Sequence, residues 1–343
     1  MAGLTTILTD YDSLICSHLY NWTYRTAKTP NFLKNLPEWR SGQVHPGFGM
    51  VTLAELNQES PELLKPFTHC GTIMDMFLTF LTQSSSTLIS THNAHSWGYC
   101  NDTWQSDVFN FLPDWIQLPT VTDDTSKVVG TWQGAKCHVA SGDLQASVAS
   151  LEQFESTAYI ILGTSAQLCC LVDHREIPDT VPPTVVQLPY SPGKKLLAAC
   201  AMNGGNALEA VLKLHSPDTY STEKLKNLLA ELDKNSQTIP NGLKIDPIFI
   251  PERGISKELS ISGLSSDNSE LEILEATHLG IIRNLLSLFP ISLLSNLKIK
   301  NLALVGSAQC PRFKRHIQSE NVQNLGLILP SSEISTPLGA TRF

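Results

Sequence analysis

Apolar residues in the second half of the chain recur at spacings that predict alternating strands and helices. Short apolar runs predict strands at 159–162, 167–172, 196–202 and 302–305. Apolar positions three and four residues apart predict helices at 207–214, within the polar stretch 215–245, at 270–289 and at 313–319. The first two strands are joined by a short turn and predict a hairpin. This alternation is typical of an α/β unit.

The first half carries a weaker pattern. Residues 70–82 have helical apolar spacing, and shorter pieces predict a strand at 4–8 and helices at 31–36 and 51–56. Residues 135–140 predict a buried strand and 144–151 the helix that follows it. A second unit begins near Glu155, so we expect two domains, 1–153 and 154–343.

Composition and charge narrow the function classes. The 343 residues are 42% apolar and 16% charged, which is enough apolar material for a sizeable core. The net charge of −8 (24 − 32) argues against a general nucleic-acid binder, but it is compatible with a small anionic ligand held by a few local donors. No uninterrupted apolar stretch reaches ~18 residues, so we expect no membrane span. Asp10 and Asp12 argue against a signal peptide, and eight dispersed cysteines indicate reduced thiols in a cytoplasmic protein.

Three turns of small residues suit a nucleotide. Gly163-Thr164-Ser165 presents backbone N–H groups and two hydroxyls, as a phosphate tail requires, although an ordinary hairpin turn has the same composition. Asn203-Gly204-Gly205-Asn206 opens a helix whose N-terminus suits phosphate, or it is a structural turn with an Asn cap. Gly306-Ser307-Ala308 allows a flat adenosine near the backbone, or it is a simple strand–helix turn.

Asp143 follows Gly142 at the predicted end of a strand. A carboxylate there is able to take the proton of a sugar hydroxyl during phosphoryl transfer. The alternative is a helix N-cap, because Asp143 precedes the helix 144–151. His92 and His95 lie three residues apart without further ligands at fixed spacing, so we predict no metal site there.

Several of these segments resemble, in the same order, the FGGY family of carbohydrate kinases and within it the heptulose-phosphorylating branch. They are Asn93-Ala94-His95-Ser96-Trp97-Gly98-Tyr99, Gly142-Asp143-Leu144-Gln145-Ala146-Ser147-Val148, Gly163-Thr164-Ser165-Ala166-Gln167-Leu168, Asn203-Gly204-Gly205-Asn206, Glu252-Arg253 and Gly306-Ser307-Ala308. The resemblance covers roughly residues 20–340.

The resemblance implies an α/β, two-lobed fold of the actin and hexokinase type (ribonuclease H-like). It implies transfer of a phosphoryl group from ATP with Mg²⁺ to the heptulose sedoheptulose, giving sedoheptulose 7-phosphate. Asp143 is then the catalytic base. The sugar-binding residues it implies are Trp22, Asn93, Trp97 and Gln145. The nucleotide-binding residues it implies are Gly163, Thr164, Ser165, Gly204, Gly205, Asn206, Gly306, Ser307 and Ala308.

The sequence also departs from the family pattern. It contains no D-x-G-T phosphate motif, and Tyr24 stands where an Asp of a W-x-D motif is expected. Residues 337–340 resemble the beginning of the family's last helix. We therefore expect an incomplete first lobe, a shortened C-terminus and at most weak turnover. Two alternatives remain: a catalytically silent homologue that binds or regulates, and another FGGY sugar kinase, against which Gln145-Ala146-Ser147 argues.

Overall fold

The structure, a computed structural model, describes residues 6–8, 16–21, 24–26, 28–36, 44–100, 103–320, 322, 324–331 and 334–343. The chain divides into two compact units. The first contains Met1–Leu151, Leu188–Tyr190 and Ser335–Phe343, and the second contains Glu152–Gln187 and Ser191–Ile334. The division expected from the sequence, 1–153 and 154–343, places the last residues in the second domain, whereas residues 335–343 pack within the first unit.

The described part of the chain contains both helices and strands, in runs of one to five elements of the same kind. The α-helices are α1 (Thr29–Leu33), α2 (Gly49–Glu59), α3 (Ile73–Thr82), α4 (Thr91–Ala94), α5 (Asp143–Ser150), α6 (Gly205–His215), α7 (Thr222–Lys234), α8 (Glu270–Leu288), α9 (Ile291–Asn296), α10 (Pro311–Ser319) and α11 (Thr336–Ala340). The strands are β1 (Thr6–Leu8), β2 (His69–Gly71), β3 (Leu88–Ser90), β4 (Tyr99–Cys100), β5 (Thr103–Trp104), β6 (Thr120–Thr122), β7 (Val128–Trp132), β8 (Ala135–His138), β9 (Thr157–Leu162), β10 (Ala166–Asp173), β11 (Val186–Ser191), β12 (Lys194–Ala201), β13 (Lys244–Asp246), β14 (Ser260–Ser262), β15 (Asn301–Gly306) and β16 (Gly326–Ile328). Short 3₁₀ turns lie at Pro61–Leu63, His95–Trp97, Ser106–Phe111, His174–Glu176, Pro217–Thr219 and Ser307–Gln309.

The second unit is built on a six-stranded mixed sheet with the order β11-β12-β10-β9-β15-β16. Strands β9 and β10 form the predicted hairpin, β12 runs antiparallel to β10, and β15 runs parallel to β9. All six residues of β9 are buried, so the centre of the sheet is covered on both faces. The second unit is the α/β unit that its hydrophobic pattern predicted.

Helix α8 is the main helix of the second unit. Ser269 and Glu272 form a reciprocal capping box at its start, and Pro290 follows its end, which matches the predicted helix 270–289. The helix packs on β10 and β12 and against α6 and α10. Its buried face carries Leu274, Ile281 and other apolar residues that join the core of the sheet.

The first unit has only two-stranded pairings among its described strands: β1 with β2, β3 with β6, β4 with β5, and β7 with β8. Its core instead gathers around α2, whose residues 49–56 are all buried. This helix is longer than the single turn predicted at 51–56. The prediction of a buried strand at 135–140 is wrong, because β8 ends at His138 and is mostly exposed in a hairpin with β7.

Helix α11 packs closely on α5 in the first unit. A Cβ on Gly339 would overlap the backbone of Ala146, so the two helices approach at a distance that only glycine permits. Arg342 then donates to the carbonyls of Ala149 and Leu151 at the end of α5. These contacts explain why residues 335–343 belong to the first unit.

None of the described helices has both the length and the apolar character required to span a bilayer.

Candidate functional site

The three predicted nucleotide turns follow one row of residues across the sheet of the second unit. Ala166 is opposite both Ala201 and Leu162, and Leu162 is opposite Gly306. Because β9, β12 and β15 run in the same direction, their carboxyl ends meet at this edge. In open α/β sheets this is the edge where ligands are handled.

The first two turns are joined backbone to backbone. The N–H groups of Gly205 and Asn206 donate to the carbonyl oxygens of Gly163 (2.9 Å) and Thr164 (3.1 Å). A Cβ on Gly204 would lie 2.6 Å from the backbone of Ser165, and one on Gly205 would lie 2.8 Å from the oxygen of Gly163. The paired glycines therefore permit two loops to touch, and Gly163 and Thr164 remain exposed at the tip.

This geometry bears on the two alternatives that the sequence leaves open for the start of α6, a phosphate site or a structural turn. The amides of Gly205 and Asn206 donate to the neighbouring turn. The Asn206 side chain accepts from the N–H of Gly204 and donates to the carbonyl of Met202, so it closes the loop on itself. The structural-turn alternative describes these bonds, and nucleotide binding by residues 204–206 stays a prediction.

Gly306 occupies a conformation that favours glycine. Its φ is +63°, and a Cβ there would lie 2.6 Å from the carbonyl oxygen of Leu162. Ser307 and Ala308 continue into a 3₁₀ turn, with Ala308 buried. The Gln309 side chain donates to the carbonyl of Leu304 and so links this turn to strand β15. Gly306 therefore permits the close approach of its own backbone to the carbonyl of Leu162, and nucleotide binding by residues 306–308 stays a prediction.

A buried carboxylate that sequence analysis did not single out as a site fixes the loop before α6. Glu252 accepts from the Met202 N–H (2.7 Å) and from the Nδ2 atoms of Asn203 (2.7 Å) and Asn284 (2.8 Å). The Asn203 side chain also accepts from the N–H groups of Phe249 and Ile250. The sequence contains the two segments that form this contact, 203–206 and Glu252-Arg253. They are 46 residues apart at their nearest, so the sequence does not indicate that they meet in the fold.

Glu275, another buried carboxylate of the second unit, ties α8 to α10. Arg315 donates to both of its oxygens, and His316 Nε2 lies 3.0 Å from Oε1. Burial opposes ionisation of Glu275, but the hydrogen bonds from His316 and Arg315 outweigh it and hold the pKa below its usual value. We interpret this cluster as a structural ion pair, because Arg315 and His316 both lie against the Glu275 carboxylate.

In the first unit, Asp143 is the first residue of α5. The cap position belongs to Gly142, so the N-cap alternative for Asp143 is wrong by one residue. The carboxylate Oδ1 accepts from the adjacent N–H of Leu144 at 2.8 Å, and the side chain is partly exposed. Asp143 is therefore partly accessible, and its role as a base stays a prediction.

Three side chains from residues 90–93 hold the backbone just before Asp143. The carbonyl of Ala140 accepts from Ser90 Oγ (2.6 Å) and from Asn93 Nδ2 (3.3 Å). The N–H of Gly142 donates to His92 Nδ1 (3.4 Å), whose Nε2 bonds the carbonyl of Tyr190 at 2.8 Å. Burial lowers the pKa of His92 and keeps its ring neutral.

Asp75 lies behind Asn93 and is completely buried. Its Oδ1 accepts from Asn93 Nδ2 at 3.4 Å, and its Oδ2 accepts from Thr72 Oγ1 at 2.5 Å. Burial raises the pKa of Asp75 to about 7, although the hydrogen bonds from Thr72 and Asn93 work in the opposite direction. Sequence analysis did not identify this residue, because it lies within an ordinary amphipathic helix.

The other predicted sugar-binding residues have different placements. Trp97 is fully buried and its ring lies against Gly49, so its observed role is packing. Gln145 is buried and donates to the carbonyl of Pro189 at 3.1 Å. Trp22 lies outside the described residues. Contact of any of these residues with a sugar stays a prediction. Among the described residues, no group of three or more His, Cys, Asp or Glu side chains is arranged to hold a metal ion.

Comparison with known proteins identifies relatives by sequence. The chain is 29% identical over 337 residues to the sedoheptulokinase of Homo sapiens, covering 89% of this chain and 68% of that protein. It is also 29% identical over 323 residues to the sedoheptulokinase of Mus musculus, covering 85% and 66%. The chain thus spans about two thirds of the length of these relatives. No protein-family model matches the sequence.

Comparison of structures supports the predicted fold. A gluconate kinase from Lactobacillus acidophilus superposes with a TM-score of 0.76 at 18% identity, covering 100% of this chain and 73% of that one. A xylulose kinase from Brucella ovis gives a TM-score of 0.75 at 19% identity with the same coverage. A glycerol kinase from Plasmodium falciparum, solved with ADP, gives 0.71 at 15% identity, covering 99% and 72%. At this identity the likeness establishes the actin/hexokinase-like fold, and the α/β prediction is confirmed.

Proposed function

We propose that this homologue of the sedoheptulokinases, which has the fold of the FGGY-type sugar kinases, is an ATP-dependent carbohydrate kinase. The observation that carries the proposal is the convergence of three glycine turns at one carboxyl edge of the second unit's sheet, in a chain whose relatives are sugar kinases. We infer that this edge binds the nucleotide and that the first unit supplies the sugar side with Asp143.

The nucleotide edge has features that suit ATP. The tip of the 163–165 turn is exposed and carries two hydroxyls, as phosphate oxygens require. Gly306 brings the turn at the end of β15 against the backbone of Leu162, at the end of the neighbouring strand β9. Residues 204–206 contribute by holding the 163–165 turn through backbone hydrogen bonds. ATP bound here supplies the phosphoryl group.

Asp143 is the proposed base. A sugar hydroxyl is a weak nucleophile, and a carboxylate within hydrogen-bond reach accepts its proton as the phosphoryl group is transferred. Asp143 is partly exposed at the start of α5, and the bonds to Ala140 and Gly142 fix the backbone before it. Mg²⁺ bound with ATP would neutralise charge on the phosphates, and one or two carboxylates would suffice to hold it.

Sedoheptulose is the proposed substrate, with sedoheptulose 7-phosphate as product. The similarity to two sedoheptulokinases and the segment Gly142-Asp143-Leu144-Gln145-Ala146-Ser147 support this choice over xylulose or glycerol. A cytoplasmic location is also proposed, because all eight cysteines are free thiols.

The test is a phosphorylation assay with purified protein, Mg-ATP and separate sedoheptulose, xylulose and glycerol, with the sugar phosphate detected by mass spectrometry. We expect sedoheptulose phosphate to accumulate fastest. Equal kcat/KM for glycerol and sedoheptulose would overturn the substrate assignment. Absence of every sugar phosphate, with correct folding established by circular dichroism, would overturn the kinase assignment.

A second candidate is a catalytically silent protein that binds nucleotide or sugar. The observation that favours it is the lack of any D-x-G-T motif in the 343 residues, together with Tyr24 at the W-x-D position. In phosphoryl transfer the protein mainly positions reactants and stabilises charge, so loss of one phosphate contact lowers turnover steeply. Calorimetric ATP binding without turnover would support this candidate, and turnover would exclude it.

A further inference from the structure

The segment before Asp143 is held at two points by consecutive residues of α4. Asn93 donates to the carbonyl of Ala140, and His92 accepts from the N–H of Gly142, so the backbone is fixed on both sides of residue 141. The fit is close, because a Cβ on Gly142 would lie 2.3 Å from the Gln145 side chain. A small shift of this segment would move the Asp143 carboxylate with it.

His92 has only one protonation state that suits this geometry. Its Nε2 faces the carbonyl of Tyr190 at 2.8 Å and must therefore carry the hydrogen. Nδ1 is then left as the acceptor that Gly142 N–H requires. A second proton on Nδ1 would place two N–H groups face to face. The lowered pKa of His92, caused by its burial, keeps the accepting form in place.

Asp75 fixes the orientation of the Asn93 side-chain amide, which holds the carbonyl of Ala140. An Asn side chain has two possible orientations of its amide, which differ in whether nitrogen or oxygen faces a given neighbour. Both neighbours of Asn93 Nδ2, the Asp75 carboxylate and the Ala140 carbonyl, are acceptors. They select the orientation in which Asn93 donates, and Thr72 in turn holds Asp75.

We propose that His92 and the Asp75–Asn93 pair are positioning residues that set the place of the Asp143 carboxylate through the backbone of residues 140–142. This proposal rests on the kinase function proposed above. It assigns roles to Asp75 and His92 that neither periodicity nor motif spacing indicates. None of these residues needs to touch the sugar or the nucleotide for the proposal to hold.

The test compares two substitutions at position 92. His92→Asn keeps an acceptor at the place of Nδ1, whereas His92→Gln keeps a donor at the place of Nε2 and loses the acceptor for Gly142. We expect His92→Gln to lower kcat by about 10–100-fold, because a displacement of about 1 Å has an effect of that order. His92→Asn should recover most of kcat. KM for ATP should be unchanged in both. His18→Gln, at an exposed position, is the matched control.

Two further measurements make the result decisive. In an Asp143→Asn background, His92→Gln should give no further loss of kcat, because residues that act as a unit are non-additive. Hydrogen–deuterium exchange over peptides that cover 140–150 should be faster in His92→Gln than in the control. Ser90→Ala, which removes one bond to Ala140, tests the same segment if His92→Gln folds poorly.

The outcomes separate this proposal from the proposed function. A normal kcat in His92→Gln, with or without faster exchange, would overturn the positioning role. A lower kcat without faster exchange would overturn the route through residues 140–142. If the unmodified protein has no turnover, the kinase function fails, while exchange in the 140–150 peptides still decides whether His92 holds the segment. Unchanged exchange would then overturn this proposal as well.

Discussion

Replacing Glu252 with glutamine should destabilise the protein and loosen the nucleotide loop. The carboxylate accepts three hydrogen bonds, from Met202 N–H on Oε2 and from Asn203 and Asn284 on Oε1. A glutamine has only one oxygen. In its best orientation that oxygen faces the two Asn amides, and its NH₂ group then faces the N–H of Met202. The substitution therefore exchanges an acceptor for a donor opposite a donor.

The magnitude follows from the lost bond. A hydrogen bond to a charged group contributes about 1.5–3 kcal/mol, and a buried donor left unsatisfied costs about 1–3 kcal/mol. The contribution of the bond and the cost of the unsatisfied donor describe the same lost interaction and are not added. We therefore expect a decrease of about 2–3 kcal/mol in the free energy of unfolding. Glu252 is 7% exposed, so water does not replace the missing partner. Glu258→Gln is the matched control, because Glu258 is exposed and six residues away.

The assay is urea unfolding followed by circular dichroism, with ATP affinity measured by calorimetry on the same samples. We expect the midpoint to fall for Glu252→Gln only, and ATP affinity to fall with it because residues 202–206 hold the 163–165 turn. If Glu252→Gln unfolds within 0.5 kcal/mol of Glu258→Gln, a change typical of surface sites, the buried carboxylate does not organise this loop.

Two other substitutions test separate parts of the account. Gly306→Ala should destabilise the protein by about 1–3 kcal/mol and weaken ATP binding, because its φ of +63° and the 2.6 Å approach to the Leu162 carbonyl both disfavour a Cβ. Gly193→Ala, where φ is +76° but no atom lies within 4 Å, separates backbone strain from crowding in the same urea-unfolding assay. The pKa of Asp75 is near 4 in the unfolded chain and about 7 in the folded protein. Between these pH values the folded protein binds one proton more than the unfolded chain, so the free energy of unfolding falls as pH rises from about 4 to 7. The total decrease is about 4 kcal/mol. Asp75→Asn should remove that part of the slope in unfolding curves measured from pH 4 to 7, and an unchanged slope would show that another group is responsible.

The second unit could be predicted from the sequence because its signals are local. Strands such as β9 are continuous apolar runs, and α8 is marked by a capping box at Ser269 and by Pro290. These features depend on residues that are neighbours in the chain. The hairpin, the long helix and the three turns at strand ends therefore followed from the pattern alone.

The first unit was harder to predict, for a physical reason. Its described strands are two to five residues long and pair only in twos, so periodicity has little length in which to develop. The segment 135–140 has an apolar composition typical of a buried strand, yet β8 forms an exposed hairpin with β7. Its burial depends on which elements cover it, which a local pattern does not contain.

The residues of the candidate sites also differ in whether they could be predicted from local sequence. Gly163, Gly204, Gly205 and Gly306 could be identified because a turn of small residues is visible in the sequence. The contacts that hold those turns and Asp143 could not, since they join Asn203 to Glu252 and Asn93 to Asp75 across long stretches of chain. The sequence left two alternatives open for the first turn of α6, because only the fold reveals that its amides bond to the neighbouring turn.

The most direct test of the central claim is the turnover of sedoheptulose by the protein with and without the Asp143 carboxylate. We predict that the unmodified protein forms sedoheptulose phosphate from Mg-ATP. Asp143→Asn should lower kcat by at least the ~10²–10⁴-fold typical of a lost general base, with ATP affinity and folding unchanged. Near-normal kcat in Asp143→Asn would contradict the account, because the phosphorylation would then proceed without the residue on which the proposed mechanism depends.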